Sequence, residues 1–182
     1  MTPREYFRKM RGTTMGSPPR VSNREIVWSW LGAFLGISAV ALIGQLLFEP
    51  RDLMLLIAPF GASAVLVYGA PRSPLAQPRN LVGGHVVSAL VGVLCWKLLH
   101  DFPWLAAALA VSTAIALMHA TKTLHPPGGA TALFAVIGPE TVHRAGFMYV
   151  LVPSTVGPLF LLLVALLVNN LTSTRRYPET WR

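Results

Sequence analysis

Ala58-Pro59-Phe60-Gly61-Ala62-Ser63-Ala64-Val65-Leu66 lies over Pro126-Pro127-Gly128-Gly129-Ala130-Thr131-Ala132-Leu133-Phe134 when the chain is slid against itself by 68 positions. The overlay pairs Pro59 with Pro127, Gly61 with Gly129, Ala62 with Ala130, Ser63 with Thr131 and Ala64 with Ala132; further on, Pro71 meets Pro139. Each copy has one long apolar stretch before it and one after it, so the chain reads as three plus three. Three crossings per unit reverse the second copy, which makes this a repeat of inverted topology. Short segments interrupted by Gly and Pro at matching places in two halves point to a transporter's substrate site. The cause is backbone chemistry: Pro has no N–H to give and Gly relaxes the chain, so the helix opens. N–H groups freed at a helix start carry partial positive charge and can hold an anion. The plainer alternative is a pair of Pro-kinked packing helices.

Outward from these segments, six apolar stretches stand out: 26–48, 53–70, 81–99, 102–119, 124–138 and 147–171. A helix needs about 20 apolar residues to span a bilayer, which the first, third, fourth and sixth supply. The second and fifth are short, and either cross as broken spans or re-enter and leave on the same side. Charge arbitrates, because cytoplasmic loops collect Lys and Arg. With the N-terminus inside and six crossings, Arg4, Arg8, Lys9, Arg11, Arg20, Arg24, Arg72, Arg79, Lys122, Arg175, Arg176 and Arg182 are cytoplasmic. Only Arg51 and Arg144 face outward, with Lys97 near the outer end of the third span. Four crossings would put Arg51, Arg72, Arg79, Lys122 and Arg144 outside, so six fit the bias better.

The expected organisation is an all-α membrane protein of two inverted three-helix repeats, about 26–99 and 102–171. A basic cytoplasmic segment (1–25) precedes them and a basic cytoplasmic tail (172–182) follows. Composition agrees: the chain is 53% hydrophobic and 12% charged, with a mean hydropathy of +0.55, against about 25% charged in soluble domains. This excludes a disordered chain, and the basic residues lie between apolar runs rather than along one soluble face, so no nucleic-acid partner is expected. The polar start does not resemble a cleaved signal. Cys95 sits in an apolar run and reads as a packing residue.

Lys122-Thr123-Leu124-His125-Pro126-Pro127-Gly128-Gly129-Ala130-Thr131-Ala132-Leu133 resembles the signature of the HPP family of integral membrane proteins. Ala58–Leu66 and Ser73-Pro74-Leu75-Ala76-Gln77-Pro78-Arg79-Asn80-Leu81-Val82-Gly83-Gly84-His85 are similar to its other characteristic blocks, and the likeness runs from about Trp28 to Leu171. The resemblance implies four membrane helices, two fewer than the count above unless the interrupted segments are passed over. It also implies transport, with nitrite as the candidate substrate from plant and cyanobacterial relatives. The expected location is the cytoplasmic (inner) membrane of a bacterium.

Ionisable residues at membrane depth are costly and default to functional candidates. All seven acids, Glu5, Glu25, Glu49, Asp52, Asp101, Glu140 and Glu179, fall in tails or loops. The embedded polar set is instead Gln45, Ser63, His85, Ser88, Ser112, Thr113, His119, His125 and Thr131. Donors without carboxylates favour a small inorganic anion over a cation or a sugar. The candidate binding set is Pro59, Gly61, Ser63, His125, Pro126, Pro127, Gly128, Gly129 and Thr131. His125 would offer an N–H or a positive charge toward the anion, or else tie down a carbonyl beside Pro126. Ser63 and Thr131 would donate from one turn into each helix, or bond back to the preceding turn. Arg79, Asn80, His85 and Lys122 form a candidate cytoplasmic mouth, or anchor at the interface. His119 and Gln45 read as packing or interhelical hydrogen bonds.

Gly32 with Gly36, and Gly84 with Ser88 and Gly92, are small-residue ladders that permit close helix contact. A homo-oligomer is expected to bury such faces. Trp28, Trp30, Trp96, Trp104 and Tyr149 read as interfacial aromatics. Asn170-Leu171-Thr172 has the form of a glycosylation acceptor but falls at the inner end of the last span. No carboxylate pair, metal-ligand cluster or phosphate loop is present, so no enzyme activity, cofactor or metal is expected. Ser63 with His85 as nucleophile and base lacks an orienting acid. The reading is a transporter or channel for a small anion; the alternative is a scaffold or regulatory protein whose basic tails bind anionic lipid or a partner protein.

Overall fold

The computed structural model describes residues 3–10, 19–48 and 54–181, and every regular element among them is helical. Arg11, Glu49, Arg51, Asp52 and Arg182 of the charge reading, and Leu53 at the start of the second stretch, lie outside the described residues. A short α1 (Pro3–Lys9) precedes α2 (Asn23–Ile43), which runs on through a π turn (Gly44–Phe48). Then come α3 (Pro59–Ala64) with its own π turn (Val65–Gly69), α4 (Pro78–Leu99), α5 (Pro103–Ala120) and α6 (Pro126–Ile137). The chain closes with α7 (Glu140–Ala145), α8 (Met148–Leu151), a π turn (Val152–Val156) and α9 (Gly157–Asn169). Four stretches are long and apolar enough to cross a membrane: Asn23–Phe48, Pro78–Leu99, Pro103–Ala120 and Met148–Asn169. Pro59–Gly69 and Pro126–Ile137 are shorter apolar helices.

Prolines set where these helices begin. α3, α4, α5 and α6 each open on Pro, where the missing N–H would have had no partner and the fixed φ suits a first turn. Ser22 caps α2, its hydroxyl accepting from the Glu25 N–H at 3.2 Å. Both interrupted stretches begin irregular and continue helical: residues 54–58 lead into α3, and 123–125 lead into α6.

Polar contacts gather several chain ends at one end of the bundle. Arg175 bonds Glu25 at the start of α2, Arg72 bonds the Thr174 carbonyl, and the Tyr177 hydroxyl bonds the Ala76 carbonyl. At the start of α4, Arg79 and Asn80 donate to the carbonyls of Thr121 and Leu124. At the opposite end, Trp96 stacks on His143 with ring centres 3.8 Å apart, and Lys97 lies over the Phe147 ring.

Close backbone approach holds the interior. A side chain at Gly92 would meet the Ala132 carbonyl at 2.5 Å, and one at Gly84 the His125 Cβ at 2.5 Å. The ladder along α4 is therefore the seat of α6. Gly32 and Gly36 carry the Tyr68 ring, so this pair receives an aromatic side chain from the π turn after α3. α5 buries Ala106, Ala110, Ala114 and Met118, one residue in four, and turns the rest outward. Trp30, Phe34, Leu98, Trp104 and Leu167 are more than half exposed, the outside of a protein whose solvent is lipid. Two expectations change. Tyr149 is buried, its hydroxyl donating to the Thr131 carbonyl, rather than lying at the interface. Gln45 and His119 face outward rather than into packed contacts.

Candidate functional site between the broken helices

α3 and α6 meet, and a sealed polar cluster joins them through α4. Ser63, His85, His125 and Thr131 are each 0% exposed. Ser63 Oγ lies 2.7 Å from His85 Nε2 and 3.0 Å from His125 Nε2. His85 Nδ1 lies 2.6 Å from Thr131 Oγ1, and His125 Nδ1 lies 2.8 Å from the Leu75 carbonyl. The two imidazoles are 5.2 Å apart at 60°, and Phe60 sets its ring against His85 at 89°.

Local sequence explains the placement. Pro59 starts α3, and Ser63 four residues on bonds back to its carbonyl at 3.4 Å. Thr131 bonds back to the Pro127 carbonyl at 3.2 Å. The residues paired by the repeat thus make the same bond in both helices. His125 occupies the extended position before Pro126, as the residue before a proline is pushed to do. Its ring is thereby aimed off the helix and into the bundle. Gly128 is fully enclosed: a side chain there would meet Ser88 Oγ at 2.7 Å and the Gly84 carbonyl at 2.9 Å. Gly61 has nothing within 4 Å of where a Cβ would lie, and Gly129 only Val111 at 4.0 Å. Pro126 is exposed and Pro127 buried.

Of the mouth residues, His85 is a correction. It sits at the centre of the cluster, because α4 begins at Pro78 rather than at Leu81 and so carries position 85 about 10 Å into the helix. Arg79 and Asn80 brace carbonyls of the α5–α6 connection, and Lys122 is exposed at φ 57°. The open cleft at this end, about 450 Å³, is lined instead by Glu25, Arg72, Ser73, Thr174 and Arg175 among others.

Arg175 escaped the sequence reading, where it belonged to a solvated tail. It is 7% exposed. Its Nε donates to Glu25 Oε2 at 2.7 Å, Nη1 to the Tyr68 carbonyl and Asn169 Oδ1, and Nη2 to the Glu25 carbonyl and Ser29 Oγ. Tyr177 is buried beside it, and burial pushes its phenol pKa up. The only sequence signal was the polar pair Asn169-Asn170 at the end of an apolar span. Asn169 bonds the Val67 carbonyl, and Asn170 exchanges bonds with the Tyr177 backbone.

Ser63 and His85 stand at the separation of a nucleophile and its base, yet the other ring nitrogen faces a hydroxyl. No group of three or more His, Cys, Asp or Glu suited to a metal occurs among the described residues.

Two Dictyostelium discoideum proteins, each named a transmembrane protein, align with nearly the whole chain. One is 49% identical over 180 residues, covering 97% of this chain and 57% of its own length. The other is 47% identical over 182 residues, covering 97% of this chain and 63% of its own length. The chain thus spans about three fifths of the length of these relatives. No solved structure matches. The HPP transmembrane region matches residues 18–178, and the chain belongs to the HPP family of membrane proteins.

Proposed function

We propose that the protein is a transporter or channel for a small inorganic anion, nitrite being the candidate the family resemblance implies. The observation that carries this reading is the meeting of two proline-opened helices across a buried polar cluster made of hydroxyls and imidazoles. Polar groups at membrane depth are expensive and are kept where they serve a pathway. A cluster of this chemistry suits an anion that exchanges water for N–H and O–H donors. The bonds between Ser63, His85 and His125 describe a shut state, in which the protein groups satisfy one another until an anion replaces them.

The same reading takes the bundle as six crossings in two inverted repeats, with both ends of the domain cytoplasmic and the bundle in the cytoplasmic membrane. The loop carrying Arg72 shares an end with the start of α2, which supports a second segment that crosses. α3 runs toward that end and α6 runs away from it. Oligomers of the chain would cover the outward small faces of α3, Ala58, Gly61 and Ala62.

The test is uptake into proteoliposomes. Purified protein should move nitrite, nitrate, formate or chloride faster than empty vesicles; no movement of any of them ends the proposal. Single cysteines at the exposed positions Arg72 and Lys122, in a chain lacking Cys95, should resist impermeant reagent added outside intact cells. Labelling of both from outside would replace six crossings by four.

A further inference from the structure

The Leu75 carbonyl can only accept, so His125 Nδ1 beside it carries a proton. In a neutral ring His125 Nε2 is then an acceptor, and the Ser63 hydroxyl donates to it. Ser63 Oγ in turn accepts from His85 Nε2–H, which leaves His85 Nδ1 to accept the Thr131 hydroxyl. With both rings neutral, this arrangement gives every donor in the chain an acceptor and leaves no ring nitrogen without a partner. It runs in one direction, from Thr131 through His85, Ser63 and His125 to Leu75.

Each hydroxyl also has a second acceptor four residues back, the Pro59 carbonyl for Ser63 and the Pro127 carbonyl for Thr131. A proton added at His85 Nδ1 turns the Thr131 hydroxyl to Pro127. One added at His125 Nε2 turns the Ser63 hydroxyl to Pro59. Either way, one O–H rotation accommodates the proton without stranding a donor.

What the cluster lacks is a counter-charge. Facing it are the Phe60 ring from α3, the Tyr149 hydroxyl on the Thr131 carbonyl, and Ser88 against Met118. Arg79, two turns away, is spent on the Thr121 carbonyl, and His119 and Lys122 are exposed. Among the described residues no carboxylate bonds or ion-pairs with either ring. A buried imidazolium alone is costly, and so is a buried anion alone; together they neutralise each other. Each therefore strengthens the binding of the other, by the reciprocity of linked equilibria. Resting on the anion-transport reading above, we propose that the Thr131–His85–Ser63–His125 chain carries one proton with each anion, making the protein an electroneutral proton–anion symporter. The proton comes from water on the entry side, occupies one ring nitrogen, and leaves to water with the anion on the other side. An O–H bond of hydronium breaks as the ring N–H forms on the entry side, and the N–H breaks as water is protonated on the exit side; no atom changes oxidation state.

The experiment uses the full chain in proteoliposomes with nitrite and nitrate as probes, a trapped pH dye, and a potential clamped by potassium and valinomycin. Accumulation is expected to ignore the clamped potential, to rise about tenfold per unit of inward pH gradient, and to acidify the lumen in step with uptake. Gln at position 85 or 125 can still hydrogen-bond but cannot take the proton, so His85→Gln and His125→Gln should lose the response to the pH gradient. If neither variant folds, the wild-type measurement decides alone. Uptake that follows the potential without acidification overturns the coupling and leaves anion transport standing. Gradient response retained in both variants overturns the cluster as the proton site. No uptake above empty vesicles removes the transport reading and the coupling with it.

Discussion

The two broken helices carry the same chemistry at their openings and are held in opposite ways. α6 is twelve residues of regular helix seated on the α4 ladder, where Gly84, Gly92 and Gly128 leave no room for a methyl group. α3 has six α-helical residues before it loosens into a π turn. The carbonyls at its end, Val67 and Tyr68, are claimed by Asn169 and Arg175 from the end of α9 and the segment after it. One opening is thus fixed by backbone contact, which has no alternative arrangement. The other adds, at its far end, side-chain bonds from Asn169 and Arg175 to the packing of Phe60 on Gly157 and of Tyr68 on Gly32 and Gly36.

The largest effect should come from removing the tie on α3. Arg175→Met leaves the Glu25 carboxylate with the Thr174 hydroxyl but without its counter-charge, takes the arginine donor from the Tyr68 carbonyl, and should cost about 3 kcal/mol, measured as thermal unfolding in detergent. Next is Gly92→Ala: the clash with the Ala132 carbonyl should outweigh the gain in helix propensity, for a net loss of about 2 kcal/mol. Equal losses in oligomer-free detergent and in lipid would place the clash inside one chain. Removal of the hydroxyls then separates the halves at the site itself. Ser63→Ala strips a partner from two imidazoles and should destabilise by about 1–3 kcal/mol. Thr131→Val strips one, and should lower anion flux while leaving insertion and folding intact; normal flux in that variant would take Thr131 out of the pathway. The smallest change, with reversed sign, belongs to the matched glycines. Gly61→Ala and Gly129→Ala meet open space and should gain about 0.5–1 kcal/mol each. A flux defect in variants that are more stable would show that these outward faces act through a neighbouring copy, since packing within one chain does not require the glycines.

The broken segments were legible because proline and glycine act locally: Pro59 and Pro126 start helices wherever the rest of the chain goes. The hydroxyls were legible for the same reason, being fixed by position within their own helix. His85 was misjudged because its role depends on where α4 begins, and the apolar run beginning at Leu81 hides Pro78 as the first helical residue. Arg175 could not be read at all. Its partners lie 6, 107 and 150 positions away, and a charge on a polar tail looks the same in sequence whether it is solvated or folded back. Arg79 and Asn80 are polar residues at a helix start that donate to carbonyls more than forty positions away, which their own segment does not reveal.

The Glu25–Arg175 contact closes a loop of 150 positions. Closing so long a loop is entropically unfavourable, and contacts this remote in sequence form late in folding. A chain still being inserted therefore holds α3 by its packing alone, with the carbonyls of Val67 and Tyr68 open. Only when α9 and the residues after it arrive are those carbonyls bonded. The tie thus serves as a record of completion: a bundle in which Arg175 is buried has brought the ends of α2, α3 and α9 together.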